Sequence, residues 1–263
     1  MKIINNKTEA IEELKRISTR TNSENNNKIN SIVEEILQEV KFSGDKAVEK
    51  YTKKFDGFDP NPMQVNADQI KNAWDEIDNN LKRSLEEAHK RIQKFHEKEI
   101  PHSFTIKGEY GDIVQRRWKP VKNAGIYIPG GRAAYPSTVL MNAIPAKVAG
   151  VTEIIMVSPG NKEGEINKTV LAAAHLSGIN KVFRIGGAQA IGALAFGTNQ
   201  INKVDVISGP GNIYVTTAKK LIYGSTGIDS LAGPSEILII ADETAQSTHI
   251  ASDLLAQAEH DPL

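Results

Sequence analysis

The sequence contains no cysteine. That absence excludes disulfides, thiolate metal sites and every mechanism with a cysteine nucleophile, and it fits a reducing compartment. An excess of charge of either sign is also lacking: thirty-two Lys and Arg balance thirty-two Asp and Glu. No global field therefore recruits nucleic acid or an anionic membrane surface. The opening residues, Met1-Lys2-Ile3-Ile4-Asn5-Asn6, have no apolar core of the kind a signal peptide needs. Nowhere does an apolar run approach the roughly 20 residues that span a bilayer. No Gly-x-Gly-x-x-Gly opens a helix and no Gly-x-x-x-x-Gly-Lys-Ser/Thr occurs, so NTP hydrolysis through a P-loop is disfavoured. These absences point to a soluble cytoplasmic protein with no nucleic-acid or membrane partner.

At 263 residues, 40% hydrophobic and 24% charged, the chain can bury the core of one large domain or two ordinary ones. The first hundred residues are rich in Lys, Glu and Asn, and their apolar residues recur at helical spacing. Ile29, Ile32, Val33, Ile36, Leu37 and Val40 form one stripe; Leu81, Leu85, Ala88, Ile92 and Phe95 form another. Ser43-Gly44-Asp45 supplies a break and an N-cap between helices, and the run from Asp56 to Pro62 is a turn. On pattern alone this region reads as a helical packing layer without chemistry.

After Pro101 the periodicity shortens, and Ile113 to Val121 reads as extended chain. A repeating unit follows: β-branched run, glycine turn, helix. Ile154–Ser158, Lys181–Ile185, Val204–Ser208 and Ile237–Ala241 are the expected strands. The expected helices run from Thr169 to Leu176, from Ala188 to Phe196, up to Leu221, and from about Gln246 to Glu259. Strands about 25 residues apart with helices between them are spaced for right-handed crossovers in a parallel sheet. The fold class is α/β, doubly wound, behind a helical N-terminal layer.

In such sheets ligands bind beyond the carboxyl ends of the strands, where glycine turns lead into helix N-termini. Three turns qualify. Pro129-Gly130-Gly131-Arg132 lets backbone approach a ligand beside a guanidinium, Gly186-Gly187-Ala188-Gln189 presents a side-chain amide, and Gly209-Pro210-Gly211-Asn212 presents another. A single such turn is more often plain geometry; three in register favour a cleft. Among the six histidines, His89 and His96 sit on a charged helix as solvated side chains, whereas Gln257 and His260 share a helix face at i and i+3. That pair reads either as two metal donors or as a histidine stabilised by a helix C-terminus before Pro262.

Five segments in order resemble the histidinol dehydrogenase family. They are Gly125-Ile126-Tyr127-Ile128-Pro129-Gly130-Gly131, Gly186-Gly187-Ala188-Gln189-Ala190, Gly209-Pro210-Gly211-Asn212, Ala232-Gly233-Pro234-Ser235-Glu236 and Gln257-Ala258-Glu259-His260-Asp261. The resemblance extends over the whole chain. It implies oxidation of L-histidinol to L-histidine through L-histidinal with two NAD, the last steps of histidine biosynthesis. Tyr127, Gln189 and Asn212 then match NAD contacts, Ser235 a substrate contact, and Gln257 and His260 two zinc ligands that also lie against the substrate. The zinc implied by the resemblance holds the substrate's amino and imidazole nitrogens as a template. With no cysteine, a covalent thiohemiacetal is closed to this chain, and base-assisted attack by water is what remains.

Family members continue past the position of Leu263. The resemblance places there the adjacent glutamate and histidine bases, the other two zinc ligands and the segment that reaches into the partner subunit of a homodimer. No catalytic base is expected within this chain, which is expected to be a portion of an enzyme rather than an enzyme alone. Two alternatives stand beside it: a catalytically silent NAD- or nucleotide-binding α/β module, and a different α/β enzyme sharing only the glycine turns. The expected organisation is two doubly wound Rossmann-like lobes with parallel sheets. Residues 1–126 form the helical layer and the start of the first lobe, 127–236 the NAD-contacting second lobe, and 237–263 the return to the first lobe with a partial zinc site.

Overall fold

A computed structural model describes residues 3–18, 24–130, 134–231 and 237–260. Helices α1 (Lys7–Ser18), α2 (Glu24–Ser43), α3 (Asp45–Phe55), α4 (Ala67–Glu76) and α5 (Asn79–His96) make the N-terminal layer. On α2 the expected stripe is the buried one: Val33, Ile36, Leu37 and Val40 are enclosed, and Ile29 and Ile32 pack partly buried beside them. Asn66 starts α4 by accepting the Asp68 N–H at 3.0 Å while Gln69 accepts the Asn66 N–H at 3.2 Å, so the two side chains satisfy donors the helix cannot. The break at Ser43-Gly44-Asp45 is present, but the expected side-chain cap is not. Gly44 itself is the N-cap of α3, at φ +56°, because only glycine enters that backbone region without strain. On α5 the stripe holds through Leu85 and Ile92 but fails at Phe95, which is 64% exposed. Periodicity continues there past the surface it serves to cover.

Residues after Pro101 begin with an antiparallel hairpin of β1 (Phe104–Lys107) and β2 (Ile113–Arg116), exposed along its whole length. The expected extended stretch from Ile113 is therefore regular strand only to Arg116. Next come β3 (Asn123–Tyr127), α6 (Pro136–Val148), β4 (Glu153–Val157), α7 (Lys168–Leu176) and β5 (Lys181–Phe183). The chain then continues through α8 (Gly187–Phe196), β6 (Val206–Ser208), α9 (Ile213–Ile222) and β7 (Gly227–Ile228). The sheet is parallel throughout, in the order β5-β4-β3-β6-β7. From β3 the chain winds outward through β4 and β5, then crosses back to add β6 and β7 on the other side.

Alternation along each strand divides the core. Ile126, Ile128, Met156 and Val182 face the layer of α4, α5, α6 and α7. Tyr127, Ile155, Val157, Phe183 and Ile207 face the layer of α2, α3, α8 and α9. Burial on both faces is why the strands are apolar without interruption. Helix α8 is enclosed from Ala188 to Ala195, which suits a helix with no polar face. Two glycines set its closeness: a Cβ on Gly125 would lie 2.9 Å from Leu194, and one on Gly192 3.2 Å from Leu37 and Val40. Leu194 of α8 thereby packs against the bare backbone of β3, and Leu37 and Val40 of α2 against that of α8.

The chain divides into two compact units, Met1–Leu231 and Ala232–Leu263. In the second, α10 (Ser247–His260) follows the sequence expectation closely. The strand expected over Ile237–Ala241 is absent among the described residues. A β-branched run becomes a strand only when another strand takes up its backbone hydrogen bonds.

Candidate functional site

Neighbouring strands β3 and β6 send the chain to opposite faces of the sheet, which opens a crevice at their carboxyl ends. Gly209, just past β6, sits at φ +112° so close to β3 that a Cβ would lie 2.1 Å from the Tyr127 carbonyl oxygen. No other residue fits there. Asn212 caps α9, its Oδ1 accepting the N–H groups of Tyr214 and Val215 at 3.1 Å each. That geometry leaves the carboxamide nitrogen as the outward donor.

The second turn enters α8. Gly187, at φ +63°, donates its N–H to the Tyr127 hydroxyl at 3.2 Å. Gln189 stands in the first turn and is 1% exposed, yet neither its Oε1 nor its Nε2 has a hydrogen-bond partner among the described residues. Leaving such an amide unpaired costs roughly 1–3 kcal/mol, so a buried, unsatisfied glutamine calls for a reason. Burial pushes the Tyr127 phenol up to about 12; the Gly187 bond opposes the shift, and the nearby charge of Asp56 adds to it. Tyr127 is therefore a neutral hydroxyl at any physiological pH.

Tyr127, Gln189 and Asn212 line one cavity of about 540 Å³, together with Gly130 and Pro159. Its opposite wall comes from the helical layer: Ile36 of α2, and Tyr51, Phe55 and Asp56 on or just after α3. The layer that reads as packing alone is half of the site. A second cavity of about 920 Å³ adjoins the first across Gly130, Pro159 and Asp56, and Asn161, Lys162 and Arg184 line it. Asp56 Oδ2 is buried without a hydrogen-bond partner among the described residues, and burial pushes its carboxyl up to about 6.

A half-buried ion pair holds the Gly209 turn, and sequence reasoning did not find it. Lys219 of α9, 3% exposed, donates to the Gly209 carbonyl at 3.0 Å and to Asp229 Oδ1. Asp229 Oδ2 in turn accepts the Gly209 N–H at 2.8 Å. Both backbone polar groups of one glycine are thus fixed by one pair of charges. Its only sequence signal was period: Lys219 falls four residues after Val215 and three before Ile222, on the buried face of α9.

Of the other expected site residues, Gln257 and His260 stand three apart on α10, and Gln257 is half-buried. Among the described residues no group of three or more His, Cys, Asp or Glu could hold a metal ion. Ser235, Gly131 and Arg132 lie outside the described residues. His175 stacks on Trp74 at 6.2 Å, and His96 bonds Glu99. Both are structural contacts.

A family model described as histidinol dehydrogenase matches residues 19–263. The chain is 89% identical over 263 residues to the histidinol dehydrogenase of Prochlorococcus marinus (strain MIT 9312), covering all of this chain and 60% of that protein. It is 51% identical over 265 residues to that of Gloeobacter violaceus, again covering all of this chain and 60% of the relative. The crystal structure of histidinol dehydrogenase from Elizabethkingia anophelis superposes with a TM-score of 0.81 at 43% identity, over 88% of this chain and 53% of that one. The chain spans about 60% of the length of the curated relatives it matches.

Proposed function

We propose a function on one premise: the chain belongs to the histidinol dehydrogenase family. It is the NAD-binding and part of the metal-binding portion of an enzyme that oxidises L-histidinol through L-histidinal to L-histidine. The single observation that carries this reading is the convergence of Tyr127, Gln189 and Asn212 on one cavity at the carboxyl edge of the sheet. Three polar residues up to 85 positions apart in sequence meet there, at the strand ends where parallel sheets bind ligands, and that supports reading the wall as a site.

The cavity fits a dinucleotide by its chemistry. Gln189 offers an unpartnered donor and acceptor in a dry setting, the pairing that a base edge or carboxamide can satisfy. Asn212 adds an amide donor, and Tyr127, neutral and held by Gly187, adds a hydroxyl beside the glycine turn. Pro159 and Phe55 give the apolar surfaces between which a base can lie. When bound, NAD would supply the hydride acceptor, one molecule for the alcohol and a second for the aldehyde hydrate. The residues here bind it, orient it and exclude water from it. These 263 residues offer no thiol for a covalent aldehyde adduct, which favours a second oxidation through the hydrate.

Gln257 and His260 are assigned as two donors to zinc, one amide oxygen and one imidazole nitrogen, and Ser235 as a substrate contact. A catalytic zinc usually takes three protein ligands, so these two belong to a larger set. When bound, the metal templates the substrate's amino and imidazole nitrogens. We further assign residues 127–236 to an NAD-contacting lobe, with 1–126 and 237–263 contributing to another. The working enzyme is assigned as a cytoplasmic homodimer acting on a small molecule. No helix among the described residues is long and apolar enough to cross a membrane.

The test is NADH formation from L-histidinol, NAD and zinc by the product of the complete reading frame. Activity that falls at least tenfold in Gln257→Ala and His260→Ala, with zinc content lowered, is expected. A well-folded protein that binds NAD without forming NADH would replace this reading with that of a silent binding module.

A further inference from the structure

Dinucleotide-binding parallel sheets ordinarily place an acidic side chain at the end of the second strand, where it accepts a hydrogen bond from the ribose of the adenosine half. Here the second strand is β4, and the residues after it are Ser158-Pro159-Gly160. Ser158 is buried, and its N–H is spent on the Phe183 carbonyl at 3.1 Å. The Pro159 ring lies flush against two glycines: Cβ atoms built on Gly130 and Gly186 would stand 2.5 and 2.6 Å from it. The sheet thus supplies an apolar floor at the usual place of the acceptor.

An acid reaches that floor from elsewhere. Asp56 follows α3 as its C-cap and lines both cavities where they meet at Pro159 and Gly130. Its position is unfavourable in three independent ways. It is a carboxylate at a helix C-terminus, where the backbone dipole repels negative charge. One of its oxygens is buried without a partner among the described residues. No lysine nearby in sequence pairs with it: Lys53 is bound to Asp59 at 2.8 Å, Lys50 to Glu39 at 2.7 Å, and Lys54, which lines the same cavity, lies over the Phe55 ring at 5.3 Å. Among the described residues no partner stabilises this carboxylate, and such groups mark sites of function. Of the other acids lining the two cavities, Glu35 and Glu165 are exposed, and Glu76 pairs with Lys168.

We propose that Asp56 accepts the paired hydroxyls of a ribose bound in the cleft and makes the site selective for NAD over its 2′-phosphorylated form. This rests on the reading of the cleft as an NAD site. An ionised carboxylate only accepts hydrogen bonds, and a ribose diol offers two O–H donors. A 2′-phosphate would bring a second anion against the first in a partly dry setting. The carboxyl titrates near 6, so the acceptor form is present at neutral pH, and its charge is felt at Tyr127, a residue assigned to the same ligand. The acceptor has moved from the sheet to the helical layer, which joins the two walls of the cavity through the ligand.

The test measures binding of NAD and of NADP to the complete gene product, as wild type and as Asp56→Asn, Asp56→Ala and Gln189→Leu. Asp56→Asn is close to isosteric and removes an unfavourable charge, so it folds. The expected result is NAD preferred in the wild type, with both Asp56 variants losing about 10- to 100-fold in NAD affinity and narrowing the preference over NADP by a similar factor. An unchanged ratio of NAD to NADP affinity in both Asp56 variants, while Gln189→Leu still weakens NAD binding about tenfold or more, would overturn the role of Asp56 and leave the cleft standing. Binding of neither dinucleotide by the wild type would overturn the cleft and this role together.

Discussion

The two walls of the cavity differ in how they are built. The sheet wall carries Tyr127, Gln189 and Asn212 on turns whose shape is dictated atom by atom; Gly209 admits no side chain and Gly187 takes a left-handed backbone. The helical wall carries Ile36, Tyr51, Phe55 and Asp56 on ordinary helices whose exposed faces tolerate change. One wall is held by backbone geometry and the other by side-chain burial. Glycine turns announce themselves in a sequence because few residues can replace them. An amphipathic stripe announces only which way a helix faces, and says nothing of what stands at its end.

Substitutions can break that comparison. The largest effect is expected at Gly209→Ala, where the new Cβ would meet the Tyr127 oxygen at 2.1 Å and φ +112° is strained for any side chain. A loss above about 3 kcal/mol, together with loss of NAD binding, is expected in denaturant titrations. A stable variant would mean that the turn can move. Next, Lys219→Met removes the cation that holds Gly209 and leaves Asp229 facing an apolar neighbour. Asp229 is 35% exposed, so the loss is set at about 2 kcal/mol, below that of a fully buried pair. Lys219→Arg should recover part of it. Gly192→Val tests the joint between the walls by pressing on Leu37 and Val40. About 1–3 kcal/mol is expected, with NAD affinity weakened although no cavity residue has changed. Equal affinity would show that the helical wall does not take part.

The smallest effect has the opposite sign. The folded-state carboxyl of Asp56 is raised from 3.8 to about 6 by burial, so ionisation costs the fold stability as pH rises from about 4 to 6, and the whole cost is present above that. Asp56→Asn should therefore stabilise the protein at pH 7, and the difference should vanish below about pH 4. Because the carboxyl keeps some contact with water, about 1 kcal/mol is expected rather than the full value of the shift. NAD affinity in the wild type should fall as pH drops through about 6, and Asp56→Asn should flatten that dependence. Glu35, Lys54, Tyr51, Tyr127 and Tyr214 are the other titratable groups of that cavity, and Glu76, Lys162, Glu165, Lys168 and Arg184 those of the adjoining one.

The parallel sheet and the glycine turns into α8 and α9 were legible because each unit repeats the same short code of apolar run, glycine and helix. The stripe on α2 gave its buried face residue for residue. Elsewhere the physics lay outside the local pattern. Phe95 keeps the helical period and faces water. Ile237–Ala241 has strand composition but lacks a ladder among the described residues. Lys219 looks like a surface residue until Asp229, ten positions on, is seen to complete it. Each of these depends on what a distant segment does, and a one-dimensional period does not record that. Family resemblance implied Gln189 and Asn212 as NAD contacts, yet it did not bring out Asp56, which reads in the sequence only as the start of a turn.

The central claim is that the cavity at the carboxyl edge of the sheet is where NAD binds. The most direct measurement is the KM for NAD and for L-histidinol of the complete gene product, wild type against Gln189→Leu. Because the Gln189 amide is buried and otherwise unpartnered, the account predicts a KM for NAD raised about tenfold or more, with the KM for L-histidinol nearly unchanged. An unaltered KM for NAD in a folded, active Gln189→Leu protein would contradict it.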